Sequence, residues 1–267
     1  MNYLQHLIIN HGLQAQLFLF TGLFFISWNI ENIAGIIFNY KKWNHAFLNA
    51  SFIFTNIPGQ LLLSLAFAKT IEWTTLHHSG FLYHLKIGKN SFLLFLISFI
   101  FLDLGEYFYH IIMHKVKGLW VFHSVHHSDE IVDVSTTFRE HPGENIIRLS
   151  FTLLWVFWVL ILRQIIQVFT TLFAHINYEL PNKVDSILGL VFITPNLHHV
   201  HHHHQQPYTD SNYGDVLSIW DRLFGTFKKL SSEDLVYGLD TCMEKKENSN
   251  FKSLFIVPFV KHKERKN

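Results

Sequence analysis

The sequence predicts an all-α integral membrane protein, with about four transmembrane helices or hairpins and a histidine-rich helical cap on the cytoplasmic face. Three observations carry that expectation. Of the 267 residues, 49% are hydrophobic and 15% charged, well short of the roughly 25% charged residues of an average soluble domain. The apolar residues gather into blocks of the length a membrane-crossing helix needs, about 20 residues. The 20 histidines equal Asp and Glu together, and most crowd into residues 110–204.

Residues 13–38 form the first apolar block, with Glu31 leaving its end open, and residues 46–68 the second, where Pro58-Gly59 is expected to introduce a kink. Residues 91–113 form the third. The fourth, residues 146–175, is interrupted by Arg163 and Gln164. Two conformations fit that interruption. One is a long tilted helix with Arg163 snorkelling or paired. The other is a helical hairpin turning near Arg163, each arm about 22 Å long at about 1.5 Å per residue. The hairpin is favoured because it returns His175 to the side of His114 and His123. No basic segment precedes the first apolar run and no small-residue cleavage site follows it, so no cleaved signal peptide is expected.

Lys41, Lys42, Lys115, Lys117, Arg139, Arg148 and the C-terminal basic residues share one side of this arrangement, against Lys69, Lys86, Lys89 and Arg163 on the other. Cytoplasmic loops carry the Lys/Arg excess, so the histidine face is expected to be cytoplasmic. Residues 1–90 are read as N-terminal transmembrane helices, 91–230 as the histidine-motif catalytic domain, and 231–267 as a polar tail whose apolar FIVPFV stretch docks on the membrane surface.

Composition also excludes. A net charge of +1 and the absence of a basic, aromatic-interleaved patch argue against nucleic acid as a partner. The single Cys242 rules out a disulfide framework and a thiolate cluster, so any metal is held mainly by nitrogen or oxygen.

Three histidine clusters have ligand spacing. In DLGEYFYHIIMHK, His110 and His114 lie four apart and share one helical face, with Asp103, Glu106 and Tyr107 on or near the same stripe. Carboxylates at membrane depth turn inward toward partners. Asp103 and Glu106 are therefore expected to take a hydrogen bond from a ligand's other ring nitrogen and fix its tautomer, with Tyr107 beside them. In WVFHSVHHSDE, His123, His126 and His127 place three imidazoles on one face. The third cluster, PNLHHVHHHHQQ, has two registers: His198, His201 and His202, or His199, His202 and His203. Val before the histidine pair, as in HSVHH, selects the first. His199, His203 and His204 then become neighbours. So many imidazoles exceed the four ligands at which one tetrahedral zinc site closes, and suit two metals. Imidazole serves Zn, Cu, Fe and Ni alike.

On these residues the sequence resembles the fatty acid hydroxylase/sterol desaturase superfamily of membrane non-haem di-iron oxygenases. The likeness runs from about Asp103 to Phe227. Its elements are Asp103-x3-Tyr107-x2-His110-x3-His114, His123-x2-His126-His127-Ser128, Thr137-x-Arg139-x-His141-Pro142-x-Glu144, His175-x-Asn177, Pro195-x2-His198-x2-His201-His202, Asp210-x-Asn212-Tyr213-Gly214 and the run Trp220–Thr226. The resemblance implies two iron ions, O₂ as co-substrate, and hydroxylation, desaturation or ether oxidation of a lipid drawn from the bilayer. The implied ligands are His110, His114, His123, His126, His127, His175, His198, His201 and His202, with His141 as a weaker tenth. His45 and the remaining histidines fall outside every motif. The HSVHHSDEIVDVSTTFR segment looks most like the bacterial and alkylglycerol-monooxygenase-like members, although Asp133 stands where those usually carry Asn. No flavin, Fe–S or haem signature is visible, and Glu144 breaks the haem-ligand likeness of EHPGEN. Electrons are therefore expected from a separate ferredoxin- or cytochrome-type protein. Two rival readings are a membrane hydrolase using zinc in the same cage and a histidine-rich metal transporter.

Overall fold

The structure is a computed structural model that describes residues 18, 20–31, 42–77, 91–152, 157–240 and 248–259. Among the described residues it is all-helical, without strands; only isolated antiparallel bridges join Phe192 to Leu217 and His203 to Tyr237. The helices are α1 (20–31), α2 (Lys42–Leu76), α3 (Ser91–Lys115), α4 (Lys117–His127), α5 (Pro142–Thr152), α6 (Phe157–His175), α7 (Asn182–Leu188), α8 (Pro195–His201), α9 (Ile219–Phe224) and α10 (Phe251–Ile256).

The N-terminal helix ends on a functional contact. Glu31 is fully buried, and its Oε1 accepts hydrogen bonds from the backbone N–H of Val134 and of Asn177, each at 2.8 Å. An acid at the end of an apolar helix thereby satisfies donors of two loops that flank the histidines. Helix α2 runs continuously through Pro58, and much of its apolar surface, including Phe47, Phe54, Leu61 and Leu62, is exposed. Among the described residues one segment, Phe95–Lys115 of α3, is long and apolar enough to cross a membrane.

One expectation is corrected here. Arg163 lies inside the continuous helix α6 and is not the site of a turn; one charged residue among good helix formers does not break a helix. The direction does reverse, however. Glu144 near the start of α5 and His175 at the end of α6 both reach the histidine cluster, and the connection, residues 153–156, lies outside the described residues. Helix α10 anchors the segment that precedes the apolar C-terminal stretch. Leu254 of α10 is fully buried in a core with Phe52 and Val125, and Phe251 packs against it. Within the FIVPFV stretch, Phe255 packs on His141, while Ile256 is 40% and Phe259 70% exposed.

A buried charged cluster fixes the back of α4. His45 Nε2 lies 2.6 Å from Asp129 Oδ1, and its Nδ1 lies 3.5 Å from Asp133 Oδ2, an ion-pair distance. Burial alone would discharge His45, but the two carboxylates outweigh it and raise its pKa to about 10. The Arg139 guanidinium, 1% exposed, donates to the carbonyls of Val125 and Asn248, to Asn49 Oδ1 and to Ser128 Oγ. It thereby ties the end of α4 to α2 and to the segment before α10. Asp133 also caps the 3₁₀ turn Val134–Phe138 by accepting from Ser135 N, in a capping box with Thr136.

Candidate metal centre

Four helices bring their histidines to one place. Helix α3 ends at Lys115, and the extended backbone of Val116 (φ −90°, ψ 109°) starts α4 in a new direction. This brings His123 and His127 against His110 and His114. Helix α6 delivers His175 at its last residue. Helix α8 begins with Thr194, whose Oγ1 accepts from Leu197 N, and with Pro195 in its first turn. Asn212, at a left-handed φ of 50°, donates from Nδ2 to the carbonyls of Leu197 and Lys228, holding α8 against the Asn212–Gly214 turn.

The result is two groups of imidazoles. His110, His114, His123, His127 and His201 offer ligand atoms within 4.8 Å of one another, and so do His126, His175, His198 and His202. All nine histidines chosen by spacing and resemblance lie in these groups. The remaining histidines of the run have other partners. His199 Nδ1 meets the Tyr237 hydroxyl at 2.8 Å, His203 Nδ1 accepts from Val236 N, and the His204 N–H donates to Val236 O. His199 and Tyr237 also line a cavity of about 750 Å³ on the outer side of α8, to which none of the nine contributes.

His141 lies outside both groups. Its Nδ1 accepts from Gly143 N at 3.0 Å, so the proton sits on Nε2, which donates to Phe255 O at 3.1 Å. Both nitrogens are engaged in joining the start of α5 to α10.

Tautomers are set from outside the cluster. His110 Nδ1 donates to Tyr213 O (2.9 Å), His175 Nδ1 to Thr171 O (2.8 Å) and His201 Nδ1 to Ser211 O (2.7 Å). A carbonyl can only accept, so these Nδ1 atoms carry the proton and Nε2 keeps its lone pair. His123 Nδ1 meets Glu144 Oε1 at 2.8 Å, and His114 Nδ1 meets Asp210 Oδ1 at 3.3 Å. Burial would raise the Glu144 carboxyl, yet His123 and Arg148 beside it hold it below its ordinary range. Lys115 and Gln206 in turn hold Asp210 Oδ2.

Asp103 and Tyr107 are bonded to a later segment of the chain, whereas Glu106 stands beside the imidazoles. Asp103 accepts from the backbone N–H of Val216 and Leu217 and from Trp220 Nε1. It organises the segment after the Asn212–Gly214 turn. Tyr107 is buried, shares a 2.8 Å hydrogen bond with Thr226 Oγ1 and stacks on Phe224. Glu106 lines a cavity of about 60 Å³ beside both imidazole groups, together with Tyr109, Glu140 and Arg148. Among the described residues, Glu144 and Asp210 are carboxylates that reach rings of the two imidazole groups. For Glu144 a signal existed in EHPGEN: an acid in the first turn of a helix adjoining the second histidine cluster.

The donor set fits metal ions. Both ring nitrogens of His127 and Nε2 of His201 are buried without a hydrogen-bond partner, an arrangement that costs about 1–3 kcal/mol per group if nothing binds there. Nε2 atoms approach one another at 3.1 Å between His110 and His123, 3.1 Å between His126 and His175, 3.0 Å between His175 and His198, and 3.2 Å between His198 and His202. Two adjacent nitrogens each about 2.0–2.1 Å from one ion are separated by about 3 Å. Burial, reinforced by neighbouring imidazoles, pushes His126, His127, His198 and His202 well below their ordinary pKa and His201 to about 3. They are held in the neutral form that metals require.

Residues 95–226 match the fatty acid hydroxylase family model. Alkylglycerol monooxygenase of Homo sapiens is 32% identical over 161 residues, 53% of this chain and 32% of that protein. The ornithine lipid hydroxylase OlsE of Rhizobium tropici is 29% identical over 144 residues, 49% of this chain and 40% of that protein. The fatty acid hydroxylase vlmA of a Lecanicillium species is 30% identical over 146 residues, 48% of this chain and 40% of that protein. The matches thus span between about a third and two fifths of these relatives. No solved structure gives a significant match.

Proposed function

We propose that this chain, whose residues 95–226 match the fatty acid hydroxylase family model, is a membrane-bound lipid hydroxylase of that superfamily that holds two iron ions and uses O₂. The observation that carries this reading is the division of nine imidazoles into two adjoining groups, with Nδ1 of His110, His175 and His201 fixed by carbonyls so that Nε2 faces inward. His110, His114, His123, His127 and His201 would hold one ion, and His126, His175, His198 and His202 the other. When bound, the pair supplies the oxidising power needed to insert oxygen into an unactivated C–H bond.

The chain's own contribution is position, polarity and exclusion of water. Glu144 and Asp210 accept from Nδ1 of His123 and His114, which raises ligand basicity and locks ring orientation. The cavity beside both groups takes the reacting end of the substrate, and Glu106 and Glu140 in its wall offer carboxyl groups for proton delivery there, with Arg148 holding Glu140 in place. Exposed apolar side chains on α2 and α3 support a bilayer setting in which a lipid approaches laterally. The Lys/Arg asymmetry supports a cytoplasmic metal face and a separate ferredoxin- or cytochrome-type electron donor on that side. The four-span arrangement is part of the same reading. Hydroxylation is favoured over desaturation because the relatives' names describe hydroxylases and monooxygenases of lipids.

Expression in a host of defined lipid composition under ¹⁸O₂, followed by lipid mass spectrometry, tests the reaction. A hydroxylated lipid carrying one ¹⁸O is expected. Loss of two hydrogens without label would make the protein a desaturase, and a lipidome unchanged by expression would refute the reading.

A further inference from the structure

The sequence ILGLVFI, residues 187–193, is too short to cross a membrane, yet most of its side chains are not buried. Ile187 is 69% exposed and Leu190 59%, with Phe192 exposed beside them. Across the bridge between Phe192 and Leu217, helix α9 continues the patch with Ile219, Phe224 and Leu223, the last 67% exposed. Soluble surfaces rarely present a contiguous apolar area of this kind without a partner.

Three features specify the partner. The first is depth. Asp103, near the middle of the apolar segment Phe95–Lys115, binds Val216 N, Leu217 N and Trp220 Nε1. The Phe224 ring lies 5.3 Å from Phe108 and 5.4 Å from Tyr107. The patch therefore flanks α3 at residues 103–108, and it continues the exposed apolar surface of Ile100, Phe101 and Phe108.

The second feature is polar satisfaction. Non-helical backbone persists at membrane depth only where its polar groups are bonded internally. Here Ile193 N donates to Val216 O, Ser218 N to Val191 O, and Val191 N and Phe192 N to Leu188 O. Gly189 O accepts from Ser218 Oγ at 2.7 Å and from Arg222 Nη2 at 2.8 Å. Asp103 satisfies Val216 and Leu217, and the Asp221 carboxylate satisfies Tyr213 and Gly214. The third feature is the rim. Lys183, Lys228 and Lys229 stand exposed at the border of the patch, and Lys229 Nζ reaches to 4.0 Å from Asp185. Basic side chains beside an apolar face suit the anionic headgroup layer.

We propose that residues 187–192 and 217–224 form a non-spanning wedge immersed in the acyl region of the bilayer beside α3. Asp103 is the internal acceptor that makes this immersion tolerable. The inference rests on the reading of α3 as a membrane-spanning helix, and its test separates the two. In a Cys242→Ser background, an environment-sensitive fluorophore is placed at Leu190→Cys, with Ile100→Cys on α3 and Glu233→Cys on the polar side as references. The full chain is reconstituted in phosphatidylcholine/phosphatidylglycerol nanodiscs with plain or brominated acyl chains. Brominated chains should quench the label at 190 as strongly as at 100, with the label at 233 unaffected by them but quenched by aqueous iodide. Leu223→Cys should repeat the result from the opposite side of the wedge.

Quenching at 100 with iodide access and no lipid quenching at 190 and 223 overturns the wedge while leaving the spanning helix intact. Loss of lipid quenching at 100 and 190 together overturns the wedge through its premise. A label at 190 silent to both quenchers, in discs that each hold two chains, overturns it in favour of a contact between copies of this chain.

Discussion

Replacing Arg139 by Met removes a buried cation while nearly conserving side-chain volume, so the loss is electrostatic and not a cavity. In the structure the guanidinium donates to two backbone carbonyls, to Asn49 Oδ1 and to Ser128 Oγ, at 2.7–3.2 Å. Around it the buried charges balance: Arg139 and protonated His45 face Asp129 and Asp133. Burial would raise the Asp129 carboxyl, but Arg139 and His45 hold it at about 2. Breaking such an arrangement by removing one partner costs about 3–5 kcal/mol. At about 2–4 °C per kcal/mol for chains near this size, Arg139→Met should lower Tm by about 6–20 °C, read by intrinsic tryptophan fluorescence in detergent. Asp129→Asn restores charge balance in the Arg139→Met background, so the double variant should lose less than the sum of the two single losses. A shift in Tm for Arg139→Met corresponding to less than about 1 kcal/mol, against the 3–5 kcal/mol expected of a buried ionic arrangement, would refute this reasoning, as would strict additivity.

Further outcomes follow from the same geometry. The pKa of His45 in the folded protein, about 10, lies above its unfolded value of about 6.5. Its stabilising contribution is therefore complete below about pH 6.5 and is lost as pH rises through about 10. The fall in Tm over that window should be smaller in His45→Gln than in the wild type; equal slopes would contradict the paired charge. Glu144→Gln keeps an acceptor near His123 Nδ1 but removes its charge, and metal retention against a chelator should fall about 10–100-fold. Unchanged retention would show that Glu144 does not orient the ring. A Cβ at Gly214 would lie 2.5 Å from the Leu217 carbonyl oxygen, so backbone must shift. Gly214→Ala should cost about 1–3 kcal/mol and loosen Tyr213 O from His110, lowering both Tm and bound metal; a variant identical to wild type in both would refute that coupling.

The histidine constellation was legible because helical spacing is short-range: residues three and four apart share a face wherever the helix goes. The comparison of HSVHH with HHVHH picks His198, His201 and His202, which the structure brings together, whereas His199 meets Tyr237, and His203 and the His204 backbone meet Val236. Depth along the helix was less legible. Asp103 shares the stripe of His110 but sits seven residues away, about 10 Å along the axis, where its partners come from a segment more than a hundred residues later. Glu144 and Asp210 reach the rings from other parts of the chain, a tertiary fact that periodicity does not encode. Arg163 read as a break because charge interrupts an apolar run, but helix propensity is indifferent to that charge. For FIVPFV, apolarity does not say whether lipid or protein provides cover: Phe255 packs on His141, whereas Ile256 and Phe259 stay exposed.

Metal analysis of the purified full chain, with O₂ uptake measured in the presence of a reductant, tests the central claim most directly. Two iron ions per chain are expected, one for each imidazole group, together with reductant-dependent O₂ consumption. His126→Ala should lose both bound iron and O₂ uptake, and His203→Ala should keep most of each. Stoichiometric zinc without iron and without O₂ uptake would contradict the di-iron centre, and equal losses in the two variants would contradict the division of the histidine run.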